Sequence, residues 1–164
     1  MEYWIIVLIL LVAISPILTA LPSKRSVQQK RLRQKATALG LKVQIKRVAH
    51  PLHGQVQAAN YGLPAKFPEG KILQTFRFCV KESSDKSGEI AVVGTASAIE
   101  QRLLALIQSV FNDQLITDRI LFIEVNPYGV AIDWRETGDE QRVATLHQRL
   151  TKLVALITTE KLDG

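Results

Sequence analysis

The chain has 164 residues, with 21 Lys and Arg against 15 Asp and Glu for a net charge of +6. That length supports one hydrophobic core and is too short for two comfortable domains. Its single cysteine, Cys79, excludes an internal disulfide framework and suits a reducing compartment. The positive charge is local. Residues 23–50 hold nine Lys and Arg and no acid, whereas residues 51–164 hold twelve bases and fourteen acids. A slightly acidic body argues against a nucleic-acid-binding surface, so no nucleic-acid partner is expected.

Tyr3 to Leu21, YWIIVLILLVAISPILTAL, runs nineteen residues without a charge. As a helix rising roughly 1.5 Å per residue it would reach about 28 Å, close to the hydrocarbon thickness of a bilayer. A cleaved signal peptide is the competing reading. Only Met1, Glu2 and Tyr3 precede Trp4, so a basic n-region is lacking, and a cut after Ala20 would place the bulky Leu18 where a small residue belongs. The expectation is a retained transmembrane helix over 3–21, with Tyr3 and Trp4 as an interfacial anchor. Lys24, Arg25, Lys30, Arg31, Arg33 and Lys35 then follow with no acid among them. By the positive-inside rule this places a single-pass chain in an inner membrane, N-terminus outside and C-terminal domain in the cytoplasm.

The basic segment 22–40 reads as a juxtamembrane helix over Ser26 to Leu39, with Gly40 where a left-handed cap would sit. Its six leading cations are the candidate contacts to anionic lipid headgroups, worth about 1 kcal/mol each near the surface. The alternative is that they only enforce topology and are otherwise solvated. The lipid bilayer is the expected partner in either case.

Residues 41–160 read as an α+β domain. Leu41, Val43 and Ile45 alternate with Lys42, Gln44 and Lys46, a half-buried strand with a basic outer face. Ala49 to Lys71 shows no period and carries Pro51, Pro64, Pro68, Gly54, Gly62 and Gly70, the composition of a long loop. Ile72 to Val80 predicts a strand with Phe76, Phe78 and Val80 on one face and Thr75, Arg77 and Cys79 on the other. Lys81 to Gly88 is a polar turn, and Glu89 to Val93 a short return strand.

Ser97 and Glu100 form an S-x-x-E capping box. The helix it opens carries an apolar stripe of Ile99, Leu103, Leu106 and Val110, widened by Leu104, Ile107 and Phe111. RILFIEV-NPYG-VAIDWRE is a hairpin whose Asn126, Pro127 and Gly129 suit a type I turn. The apolar pattern favours Val125 opposite Val130, with Leu121, Ile123, Ile132 and Trp134 on the same dry face and Phe122 as the exception. Glu124, Ala131, Asp133 and Arg135 fall on a mostly wet face. Asp139 to Thr158 predicts a final helix with Val143, Leu146, Leu150, Leu153 and Ile157 along one stripe. The fold expected is a small, mostly antiparallel sheet covered by two helices.

No reaction is legible. His50 and His53 lie three apart with no Cys, Asp or Glu nearby to complete a metal site, and read as solvated loop residues. Cys79 reads as a structural thiol, although Arg77 stands two residues away. Glu124, Asp133, Glu136, Asp139 and Glu140 gather around the hairpin exit, where Asp139 and Glu140 suit a helix N-terminus better than acid–base work. Trp134 reads as core and His147 as surface. Neither a metal nor a cofactor is expected.

LPSKRSVQQKRLRQKATALGLKVQI after a single N-terminal span, and the later PYGVAIDWRE, resemble the corresponding segments of a set of uncharacterised small inner-membrane proteins of Gram-negative bacteria. The resemblance covers both ends of the chain. It implies a cytoplasmic domain behind one span and brings no activity, cofactor or site residue. A looser similarity, limited to anchor plus basic helix, is to the auxiliary subunit of the Sec preprotein translocase, whose Gly-Asp-containing β segment is missing here. The leading expectation is therefore a non-enzymatic module that binds another membrane or cytoplasmic protein. One alternative is a small-ligand or enzymatic domain using the 49–71 loop as a lid. The other is a sensor of anionic lipid.

Overall fold

The computed structural model describes residues 3–4, 23–51, 54–68, 72–82, 88–92, 97–111 and 120–160. The expected span over 3–21 lies outside the described residues except for Tyr3 and Trp4. Among the described residues no helix is long and apolar enough to cross a membrane.

In chain order the elements are α1 (Lys24–Ala38), β1 (Lys42–His50), β2 (Gly54–Pro64), β3 (Phe76–Glu82), β4 (Gly88–Val92), α2 (Ala98–Phe111), β5 (Ile120–Asn126), β6 (Gly129–Trp134) and α3 (Glu140–Thr159). The strands form one sheet in the order β1-β2-β6-β5-β3-β4, and every neighbouring pair is antiparallel. β4 and β5 both run against β3, which lies between them, so α2 connects two strands of the same direction.

The hairpin at the sheet's centre has the expected register, with Val125 opposite Val130 and Asn126 opposite Gly129. The Asn126 Oδ1 accepts the Tyr128 N–H at 2.9 Å, which locks the turn. Gly129 has φ +145°, and a Cβ there would come within 2.2 Å of the Leu63 carbonyl oxygen, so only glycine fits beside β2. One detail of this hairpin corrects the sequence reading. The register shifts between Ile120 and Phe122, a bulge that inserts Leu121 as an extra residue. Ile120, Ile123 and Val125 therefore face the main core, while Leu121 and Phe122 both join a cluster on the opposite face. Leu121, not Phe122, is the residue out of step.

The loop expected over Ala49 to Lys71 is largely strand. β2 occupies eleven residues of it and pairs with β1 on one side and β6 on the other. Residues 54–64 therefore belong to the sheet rather than to a loop that could close as a lid. β2 escaped detection because its interior positions are small or polar. Ala59 and Tyr61 face the main core, Ala58 faces the other side, and Asn60 and Gly62 blur the alternation. His50 is also corrected: it ends β1 and is buried, 4% exposed, rather than solvated.

Among the described residues three helices, not two, cover the sheet. α2 opens with the reciprocal box, Glu100 N–H to Ser97 Oγ at 3.3 Å and Ser97 N–H to Glu100 Oε2 at 2.7 Å. It buries Leu103, Ile107, Val110 and Phe111. α3 is capped by Asp139, whose Oδ1 accepts the Arg142 N–H at 3.1 Å, and its five stripe residues are all buried. Arg149 Nη1 of α3 donates to the Val110 carbonyl at 2.8 Å, satisfying an acceptor at the end of α2. The third helix is α1. Leu32 and Ala36, one turn apart, are 1% and 0% exposed and belong to the same core as α3 and the sheet. Gly40 takes the left-handed conformation at φ +84° expected of it, and the Leu41 N–H closes on the Ala36 carbonyl at 3.0 Å.

Candidate functional site

The last residues of β6 and the turn after it present side chains to both sides of the sheet, and two buried carboxylates follow from that alternation. Asp133 points to the face away from α1, α2 and α3, on which none of the described helices packs, and is 1% exposed there. Three strands of the sheet supply its partners: Lys46 Nζ at 2.9 Å from β1, Asn60 Nδ2 at 2.8 Å from the adjacent β2, and Arg77 Nη2 at 2.9 Å from β3. Lys46 also lies 3.7 Å from Glu124. The Arg77 guanidinium sits 3.9 Å above the Phe122 ring, so the bulge that brings Phe122 to this face also gives Arg77 an aromatic floor. Beside it, Cys79 Sγ is 3.5 Å from His50 Nε2, and the His50 ring meets Phe122 edge-on. Val48, Ala58, Cys79, Leu121 and Phe122 are all buried here, with none of the described helices contributing. The face expected to be mostly wet carries its own small core around a neutralised carboxylate.

Glu136 points the other way. It has φ +52°, a left-handed conformation costing a non-glycine residue about 1–2 kcal/mol. What holds it is a bidentate pair with Arg33 of α1, Nε to Oε1 at 2.6 Å and Nη2 to Oε2 at 2.5 Å, together with the Tyr61 hydroxyl donating to Oε1 at 2.9 Å. The hydrogen bond to Glu136 raises the Arg33 pKa above its ordinary value against the opposing effect of burial. Burial, followed by the charge of Glu136 and the hydrogen bond to it, pushes the Tyr61 phenol well above the usual tyrosine range. Gln28 Nε2 adds a bond to the Gly138 carbonyl, so α1 is fastened to the β6–α3 connection at two points.

The acids that cluster in sequence mostly separate in space, although Glu124 and Asp133 share Lys46. Asp133 and Glu136 serve opposite faces, Asp139 caps α3, and Glu140 sits in its first turn. Among the described residues no group of three or more His, Cys, Asp or Glu is placed to hold a metal ion.

Of the six candidate headgroup contacts, Lys24, Arg25, Lys30 and Arg31 are exposed, Lys35 is half-buried, and Arg33 is engaged by Glu136. Arg25 and Arg33 also line a cavity of about 330 Å³ between α1 and the exit of β6, together with Gln29, Gln57, Trp134 and Arg135. Among the described residues the Arg135 Nε–H is buried without an acceptor, and Thr137 Oγ1, on the other side of Glu136 in sequence, is likewise buried without a partner. Sequence reading missed Arg135, because as part of an alternating strand it looks like an ordinary wet-face cation. A wider groove of about 500 Å³ runs between α1 and the start of α3, but Lys24 and Arg31 face Asp139 and Glu140 across it.

At the other end of β6, Tyr128 stands 84% exposed at the hairpin tip. It borders a shallow depression of about 270 Å³ on the helix-free face, lined among others by Lys42, Gln44, Asn60, Glu124 and Asn126. Comparison with known proteins returns no match to a family model, a curated protein or a solved structure.

Proposed function

We propose that this chain is a membrane-anchored, non-enzymatic module whose cytoplasmic domain docks a partner protein on the helix-free side of its sheet. The observation that carries the reading is Tyr128, an aromatic side chain left 84% exposed at a rigid turn beside a shallow polar depression. Tyrosine supplies large contact area at small entropic cost and is enriched among residues that dominate binding energy. The buried polar groups of the same face support a scaffold role, since the Asp133 carboxylate already accepts from three donors. The apolar stretch 3–21 and the basic segment behind it support a tether with the domain on the cytoplasmic side. So does the resemblance of both ends of the chain to small single-pass inner-membrane proteins.

The test is affinity purification of the full chain from gently solubilised membranes, in parallel with Tyr128→Ala. The expected result is a stoichiometric partner whose recovery falls about tenfold or more in the variant. Recovery of no partner, or equal recovery with both chains, overturns the reading.

A further inference from the structure

We infer that the cavity between α1 and the exit of β6 is a binding site for a phosphate-type anion, with Arg135 and Arg25 as its principal ligands. Three arginines line it, Arg25, Arg33 and Arg135, together with Gln29 and Gln57. Among the described residues Glu136 is the only acid lining it, and it already accepts from the Arg33 Nε–Nη2 fork and the Tyr61 hydroxyl. Arg33 thus balances Glu136, and among the described lining residues Arg25 and Arg135 have no acid to offset them.

Arg135 is the more informative of the two. A buried N–H without an acceptor costs roughly 1–3 kcal/mol, more when the group is charged, and folded chains rarely leave one. Here the orphan is the Nε–H of a guanidinium, and Nε with one Nη forms the fork that matches two oxygens of a phosphate. An anion seated beside Arg135 would satisfy that donor, and Arg25 one wall away would add its charge. The volume, about 330 Å³, admits a phosphoryl group with part of the molecule that carries it. Trp134 and Ile45, which also line it, would lie against the apolar portion of such a molecule.

This site differs from a diffuse basic collar in a way that can be measured. A collar would weight every exposed cation of α1 alike, and Arg31 as heavily as Arg25. The cavity excludes Arg31 and requires Arg135, which lies 110 residues from Arg25 and outside the basic segment. The inference does not rest on the partner reading, since Tyr128 and the cavity occupy opposite ends of β6.

The experiment uses the full chain purified in a neutral detergent, and the same chain in phosphatidylcholine nanodiscs with or without phosphatidic acid. Inorganic phosphate is titrated into the first, and the thermal midpoint is followed in both. The expected result is a saturable rise in midpoint with phosphate, with phosphatidic acid, or with both; the responding arm identifies a free or a lipid-borne phosphate. Arg135→Gln should weaken half-saturation by about tenfold, as loss of a charge-assisted hydrogen bond implies. Arg135→Lys should recover part of the response without the fork, and Arg25→Gln, at an exposed helical position, covers the case in which Arg135 variants fold poorly. Arg31→Gln should leave the response unchanged. A flat response in both arms overturns the inference, and so does equal weakening by Arg31→Gln and Arg135→Gln.

Discussion

Asp133 and Glu136 lie three residues apart, both buried and both held by an arginine, yet they do different structural work. Asp133 ties β6 to β1, β2 and β3 through Lys46, Asn60 and Arg77, so its ligands all come from the sheet it sits on. Those strands are already joined by backbone ladders, and the carboxylate adds lateral bracing to an assembled surface. Glu136 takes its ligands from β2 and from α1. No backbone ladder links α1 to the sheet, so this pair, with Gln28 and the burial of Leu32 and Ala36, holds the helix down.

 Ala36 and Leu32 supply the apolar part of that hold, and the ion pair supplies its direction. The contrast teaches that the same chemistry reinforces where contacts are dense and decides attachment where they are few.

Breaking the helix-side pair should have the larger effect. Arg33→Ala leaves a carboxylate that is 4% exposed with only the Tyr61 hydroxyl, and loss of one partner of a buried pair costs about 3–5 kcal/mol. The expected outcome is a lowered denaturation midpoint together with early proteolytic cleavage within residues 24–38, while β1–β6 stay protected. Uniform loss of protection would mean that α1 is not separately held. Adding Glu136→Gln to Arg33→Ala should restore part of the stability, because the stranded charge is gone.

On the sheet side, Asp133→Asn keeps the shape and removes the charge. Lys46 and Arg77 are about one-third exposed and can turn to water, so the cost should be smaller, about 1.5–3 kcal/mol by urea denaturation. Cleavage of α1 should not change. A cost equal to that of Arg33→Ala, with α1 released, would erase the distinction between the two regions.

The smallest effect near neutral pH is expected for Tyr61→Phe, about 1 kcal/mol for one hydrogen bond. Its signature lies at high pH. Because the folded-state pKa is raised above the unfolded value, the protonated phenol contributes stability that is fully present below about pH 10. That contribution falls as pH rises further, by up to about 1.4 kcal/mol per pH unit, since only the unfolded chain gives up its proton there. The difference between wild type and Tyr61→Phe should therefore narrow above pH 10. A constant difference would place the titration elsewhere.

Local signals made much of this fold legible. The Ser97–Glu100 box, the stripe of α3 and the Asn126–Gly129 turn each combine a short-range hydrogen-bonding group with a periodic apolar pattern, and all three recur in the structure. β2 was not legible, because Ala58, Ala59, Asn60 and Gly62 carry little propensity, and their strand conformation is imposed by β1 and β6 on either side. The bulge at Leu121 defeated the face assignment for the same reason: a one-residue slip reads as an exception until the partner strand is known. The basic residues of α1 were visible as candidates, but nothing in their spacing reveals that Arg33 turns inward to Glu136 or that Arg25 shares a cavity with Arg135.

By itself the sequence determined the apolar stretch, the basic segment, two capped amphipathic helices and a central hairpin, because each depends on residues a few positions apart. Only the tertiary structure decided the placement of β2, the docking of α1 and the fates of Asp133 and Glu136. Those depend on which distant donors reach a buried carboxylate, and the cost of leaving one unpaired is met only when the whole sheet and its helices are assembled.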